Sequence, residues 1–406
     1  MNPLPMIIAT IRRHLGSYAL FVALVGIATG IGVAITAQEA ALRKGSARAA
    51  DKFDLVVAAP GSQTDVVMAA IYLRPGTTPL LEPAMTAQAL AEPRAKISAP
   101  LGFGDSVKGS RIIGTLATFV EHLSGGLQQG RLFTAENEAV IGAAVTLALG
   151  EKFRPSHGIE EEHDGDAEDA HDHEHAVDMV VVGRMKPTGT PWDNAVAVPI
   201  EQVWRVHGLP TGHAPGDKRI GAPFDPAQVP GVPAIVMQPE NISAAYGLRN
   251  VYRTNASMAF FPAEVLVKLY DIMSDVRTLM AWLAVATQGL VVLSMLAGVV
   301  AILSLHRKQF AILRALGAPR LYIFLCVWGQ VVAICVLGAV LGLAIGAGAA
   351  TLVSYLLTAS TGIAIPARIG EDELWLVGGM VLFGLGAATI PAMLAYRYPV
   401  IESLRS

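Results

Sequence analysis

Leu305–Arg320 reads LHRKQFAILRALGAPR and lies between two long apolar runs, Leu279–Ser304 and Leu321–Leu357. Its ionisable groups, His306, Arg307, Lys308, Arg314 and Arg320, are all basic. A short loop rich in Arg and Lys beside membrane spans stays on the cytoplasmic side, because carrying those charges across the bilayer is unfavourable. The loop therefore orients the whole chain. Within it, Gln309–Leu316 reads as a short helix that Gly317 and Pro319 stop. A short basic helix held between two spans suits contact with a cytoplasmic partner; an ordinary positive-inside loop would carry the same charges.

Outward from this loop the chain is too apolar for a typical soluble protein, with 53% hydrophobic and 16% charged residues. The excess is local. Leu15–Ala37, Leu279–Ser304, Leu321–Leu357 and Leu374–Ala395 contain no Asp, Glu, Lys or Arg. Each is longer than the roughly 20 residues that cross a bilayer. The third is long enough to be one extended helix or two short spans turning near Gly346–Gly348. Arg12, Arg13 and His14 precede the first run, and Arg397 and Arg405 follow the last. These flanks fit four spans with both termini cytoplasmic. The apolar N-terminal run is too long for a signal-peptide core, so it reads as an uncleaved anchor. Cys326 and Cys335 both fall in the third run, about 13 Å apart along a helix axis, and cannot bridge each other.

Between the first two spans lies a large insertion, from about Gln38 to Asp275. It opens with helix-like QEAALRKGSARAA. Phe53–Ala59, Ser110–Leu116, Met179–Val182, Ala195–Val198 and Ala234–Met237 are apolar, β-branched strand candidates. Thr134–Leu149 reads as a helix capped by Thr134. Phe261–Met280 reads as a helix begun at Pro262, with Leu266, Leu269, Met273, Val276 and Met280 forming an apolar stripe that runs into the second span. It is either a rigid stalk or an amphipathic helix packed on its own domain. The insertion is a mixed α+β domain large enough for two lobes.

The basic loop carries a resemblance. QFAILRALGAPRLYIF is similar to the segment between the second and third spans of MacB/FtsX/LolC-type ABC transporter permeases. LQQGRLFTAENEAVIGAAVTLALG and VVVGRMKPTGTPWDNAVAVPIEQVW resemble segments of that family's periplasmic region. ATIPAMLAYRYPVIESLRS resembles its terminal pattern, in which Pro391 ends the last span. The resemblance implies a coupling helix that docks on a separate ATPase through Gln309, Phe310, Ala311, Leu313, Arg314, Ala315, Leu316, Gly317 and Ala318. The family often has Glu where Gln309 and Phe310 stand, so one polar contact differs. It also implies a pair of permeases, homodimeric or heterodimeric, and a periplasmic protein partner.

No P-loop, HExxH, CxxC or GxSxG motif occurs, so the energy source lies on a partner. No acidic or basic residue sits centrally in a span, which argues against an ion-coupled carrier and a direct metal permease. No basic patch with interleaved aromatics points to nucleic acid. Gly26 and Gly30 in the first span, and Gly338, Gly342 and Gly346 in the third, recur at four-residue steps that bring helix backbones close, within one chain or across a dimer. Glu160–Asp178 holds ten of the chain's 33 acidic residues and no Lys or Arg. His163, His171, His173 and His175 lie in it. In extended chain the last three share a side, and imidazoles among carboxylates suit zinc; a solvated acidic loop is the alternative. His207 and His213 read as ordinary surface residues of another loop.

The expected architecture is thus an α-helical four-span transmembrane domain with a large mixed α+β periplasmic domain between spans 1 and 2. In residue numbers it is: an interfacial segment and first span (1–37); the periplasmic domain (38–260) with its acidic His-rich loop (157–178); stalk and second span (261–304); the coupling helix (305–320); the third span (321–357); a short periplasmic loop (358–373); and the fourth span with a cytoplasmic tail (374–406). The expected function is a non-enzymatic ABC permease in a bacterial inner membrane. It would couple ATP hydrolysis on a separate cytoplasmic subunit to periplasmic movement, with no cofactor of its own beyond zinc at the His-rich loop. The rival is a signalling or scaffold protein of FtsX type that activates a periplasmic partner without transport.

Overall fold

The computed structural model describes residues 2–74, 76–157, 177–305, 312–313, 316–361 and 367–397. Helices α1 (Leu4–Arg13) and α2 (Leu15–Ala50) open the chain. The α/β domain follows with β1 (Leu55–Ala58), α3 (Gln63–Ala70), α4 (Pro83–Leu90), β2 (Ala95–Val107), β3 (Ser110–Thr115), α5 (Ala117–Ser124), β4 (Leu127–Gly130), β5 (Glu138–Ile141), β6 (Lys152–Phe153) and β7 (Ser156–His157). It continues with β8 (Met179–Met185), β9 (Ala195–Pro199), α6 (Ile200–Val206), β10 (Ala234–Pro239), α7 (Ile242–Val251) and β11 (Met258–Phe260). Helices α8 (Pro262–Leu305), α9 (Arg320–Thr361), α10 (Glu371–Ala387) and α11 (Thr389–Arg397) close it. Contacts divide the chain into a helical unit (Met1–Arg43, Met273–Leu356, Pro366–Ser406) and an α/β unit (Lys44–Ile272, Leu357–Ile365). The division falls inside α2 and α8.

In the α/β unit, β11-β1-β10-β2 form antiparallel neighbours with helices after β1 and after β10. That order is a split βαβ arrangement. The chain leaves it after the first half of β2 and returns at β10. In between it builds the second lobe, in the order β2-β3-β9-β5-β8-β4. The 13-residue β2 serves both lobes: Ala95–Leu101 face β10, and the register shifts between Phe103 and Ser106 where it pairs with β3. Gly104, at φ 152°, supplies the backbone conformation for that shift. Lys108 and Gly109, both at positive φ, make the two-residue hairpin turn into β3. Every residue of β9 is buried, as its uninterrupted apolar sequence requires of a strand covered on both faces. Trp192 anchors the core at full burial. It meets Phe53 and Phe119 at centroid distances of 6.2 and 5.7 Å, and its Nε1 donates to the Ala70 carbonyl at 3.2 Å.

Thr134–Leu149 is not the expected helix. Glu138–Ile141 is strand β5, held between β8 and β9, and a loop follows. A helix there would satisfy its own carbonyls. Instead the half-buried Arg184 guanidinium donates to the carbonyls of Gly142, Ala143, Val145 and Leu147 at 3.4, 3.2, 2.8 and 2.6 Å. Gly142 is also required, because a Cβ there would lie 2.3 Å from the Asp193 carbonyl oxygen.

In the helical unit, three helices among the described residues are long and apolar enough to cross a membrane: Leu15–Ala50, Arg320–Thr358 and Glu371–Met393. Helix α9 is one continuous helix of 42 residues, so no hairpin turn occurs near Gly346. The glycine stripes face each other within one chain. A Cβ on Gly338 would lie 2.5 Å from a Val25 side-chain carbon, and one on Gly346 2.7 Å from the Gly30 carbonyl oxygen. A buried polar pair joins the same helices, where Tyr18 Oη donates to Gln330 Oε1 at 2.7 Å. Pro391 does not end the last helix. The helix breaks for one residue at Ala388 and resumes as α11 through Pro391 to Arg397. Proline lacks the N–H that would reach the Ala387 carbonyl, which interrupts the ladder without stopping the chain.

Candidate functional site

The basic loop is described at residues 312–313 and 316–319. Ile312 and Leu313 are helical, and the Leu316 amide donates to the Ile312 carbonyl at 2.9 Å. Gly317 takes φ 97°, and the Ala318 amide returns to the Leu313 carbonyl at 3.0 Å. This is a Schellman stop, in which a left-handed glycine lets the chain fold back on the last turn. Ala318 and the half-buried Leu313 then pack with Tyr322 and Cys326. The stop thus divides the apolar residues of the turn by direction. Leu313 faces its own chain, whereas Ile312 is exposed and Leu316 is 81% exposed. Gln309, Phe310, Ala311, Arg314 and Ala315 lie outside the described residues.

His163, His171, His173 and His175 also lie outside the described residues. Among those described, no group of three or more His, Cys, Asp or Glu side chains could hold a metal ion.

His213 corrects the sequence reading. It is buried, not a surface residue, and its Nε2 stands 3.5 Å from Glu201 Oε1. The loop around it lacks the periodicity that would have marked it as interior. A second polar constellation was equally hidden. Glu138 accepts hydrogen bonds from Arg131 through both oxygens, the one to Oε2 at 2.7 Å, and from the Thr134 and Ala135 amides at 2.8 and 3.3 Å. The Arg131 guanidinium first, then the amides, hold its carboxyl down to about 2. These contacts fasten the segment after β4 to β5.

Residues 281–400, which contain the Schellman turn, match the family described as FtsX-like permease C-terminal. That segment carries an FtsX-like permease C-terminal domain. The resemblance to MacB/FtsX-type ABC permeases read from the basic loop therefore holds. No curated protein matches this chain. Two solved structures are similar to about half of the chain. One is the periplasmic region of MacB from Actinobacillus actinomycetemcomitans, at 11% identity over 55% of this chain and 95% of that one, TM-score 0.32. The other is the extracellular domain of the noncanonic ABC-type transporter YknZ from Gram-positive bacteria, at 11% identity over 51% and 98%, TM-score 0.28.

Proposed function

We propose that this chain is the permease subunit of an ABC transporter, docking through the turn at Leu305–Arg320 on a separate cytoplasmic ATPase. The observation that carries the reading is Leu316. It lies within the permease match, and a Schellman stop turns it away from its own chain and leaves it 81% exposed. An exposed leucine on a short basic turn is suited to a partner's apolar socket. In this reading α8 is the remaining span, with the orientation that the basic loop dictates. Its Leu279, Trp282, Leu283, Leu290 and Leu293 are exposed, as lipid-facing side chains are. Both termini are cytoplasmic, two permeases pair, and α8 carries movement into the α/β domain. Transport or activation of a periplasmic protein are the two forms that the work takes. The His-rich segment adds zinc handling through His163, His171, His173 and His175.

The test is Leu316→Asp, with Ile312→Asp beside it, in complexes purified from membranes and analysed for a co-purifying ABC ATPase. Loss of the ATPase and of its stimulated hydrolysis, with unchanged permease yield, is expected, because the charge would be buried without a partner. An intact, fully active complex overturns the reading. Leu313→Asp is a poorer probe, since Leu313 also packs against Tyr322 and Cys326.

A further inference from the structure

The loop that follows α6 is closed over two buried ionisable groups. Glu201, in the first turn of α6, is 1% exposed and His213 is 4% exposed. Glu201 Oε1 accepts from the Gly221 amide at 2.6 Å, and His213 Nε2 lies 3.5 Å from the same oxygen. That is long for a hydrogen bond, and the contact is chiefly electrostatic. Glu201 Oε2 and both His213 nitrogens have no hydrogen-bond partner within the protein. Ring and backbone contacts that carry no titrating proton add to the closure. Phe224 lies 5.2 Å from the His213 ring and 5.7 Å from Trp204. Gly212 is joined through its backbone to Gln228 and Asp225.

The charged groups around the pair are Asp217, Lys218 and Arg219 on the loop and Arg205 on α6. Asp217 is paired with Arg219, and Arg205 with Glu136. Lys218 shares the rim that His213 lines. The segments packed against Glu201 from β3–α5 and from before β5 contribute Thr115, Leu116, Ala117, Phe133 and Thr134, none of them charged. Glu201 is the acidic group paired with His213, and Asp217, which also feels His213, is already matched by Arg219.

We propose that Glu201 and His213 form a one-proton latch for residues 209–233, closed while the pair holds a single proton and released when a second is added. With one proton the buried pair has no net charge. With none, a carboxylate is buried unmatched; with two, an imidazolium is. Unmatched buried charge favours the open loop, where water solvates it. Burial pushes the Glu201 carboxyl up, the Gly221 amide and His213 opposing it, so the proton is held more firmly in the closed loop. The second proton is taken up when the opened loop's freed carboxyl protonates, which places release in the ordinary carboxylate range. Release matters to shape, because Arg219–Pro223 of this loop wall a cavity of about 420 Å³ beside Thr115 and Phe133. The latch stands independently of ATPase docking.

Hydrogen–deuterium exchange on the full chain in detergent tests it, with rates corrected for the intrinsic pH dependence. In the wild type, amides of residues 209–233 should lose protection by about tenfold per pH unit below the release point, the slope for one proton. The β9 amides should not change. His213→Gln should reverse the slope, since the lone carboxyl then favours closure when protonated and protection falls as pH rises. Glu201→Gln should release at a higher pH than the wild type, since no carboxylate compensates the imidazolium. The double variant should stay closed and lose the dependence. A flat wild-type profile, or a double variant that follows the wild type, overturns the latch. If the double variant does not fold, the opposed behaviour of the single variants decides: equal slopes in both overturn it.

Discussion

Gly342 of α9 faces Thr29 of α2 so closely that a Cβ on the glycine would stand 2.5 Å from the Thr29 Cβ and 2.8 Å from the Gly26 carbonyl oxygen. Neither neighbour is a flexible chain end, because Thr29 is fully buried and its hydroxyl donates to the Val25 carbonyl at 2.8 Å. Lipid tails are as apolar as leucine, so the association of these helices rests on close packing and not on exclusion of water.

Gly342→Val should therefore force α2 and α9 apart and destabilise the helical unit by about 1–3 kcal/mol. Gly348→Ala on the same helix meets nothing within 4 Å and should be neutral. Thermal unfolding midpoints in detergent read the difference. Equal midpoints for the two variants would refute this packing.

The carboxyl of Glu138 is held down to about 2 by Arg131 and two amides, and the side chain is 12% exposed. A depressed carboxyl contributes stability above its unfolded value, lost as pH falls through the folded one. Glu138→Gln should cost about 1–3 kcal/mol at neutral pH, with Arg131 left unmatched, and progressively less towards pH 2. Trp192 and Trp204, both buried in the α/β domain, report urea unfolding by fluorescence. A cost that does not vary with pH would assign the effect to shape.

Zinc should bind the full chain through His163, His171, His173 and His175, with micromolar affinity that falls between about pH 7 and pH 5 as imidazole protonates. Deleting Glu160–Asp178 should abolish binding in calorimetry. It should leave the fold intact, because the one pair removed among the described residues, Arg154–Asp178, has both side chains more than half exposed and contributes little. Unchanged binding in the deletion variant removes the histidines from consideration.

In the proposed orientation, a cysteine at Gly125, where a Cβ meets open space, should react with an impermeant thiol reagent added outside the membrane. One at Leu316 should not, in sealed cells. The native Cys326 and Cys335 are buried and should stay silent. Labelling at Leu316 would reverse the orientation.

The apolar runs, the basic loop and the strand segments could be read along the chain because each depends on local composition. Charge-free length decides spanning, Arg and Lys decide side, and β-branched runs bounded by Gly or Pro decide strands. Gly317 was legible for the same reason, since a left-handed stop needs the one residue without a Cβ. Tertiary structure alone decided what faces what. The glycine stripes of α2 and α9 proved to be partners within one chain, and Leu313 and Leu316 proved to point in different directions. Thr134–Leu149 has helical composition, but two flanking strands and the Arg184 guanidinium, more than thirty residues away in sequence, outcompete helix formation there. His213 looked like any loop histidine, because nothing in its neighbours along the chain records that Glu201, Phe224 and the Gly221 amide close around it. Such long-range pairings become fixed only when the chain is packed, and for that reason the sequence determined the parts of this protein while the fold determined its buried polar pair.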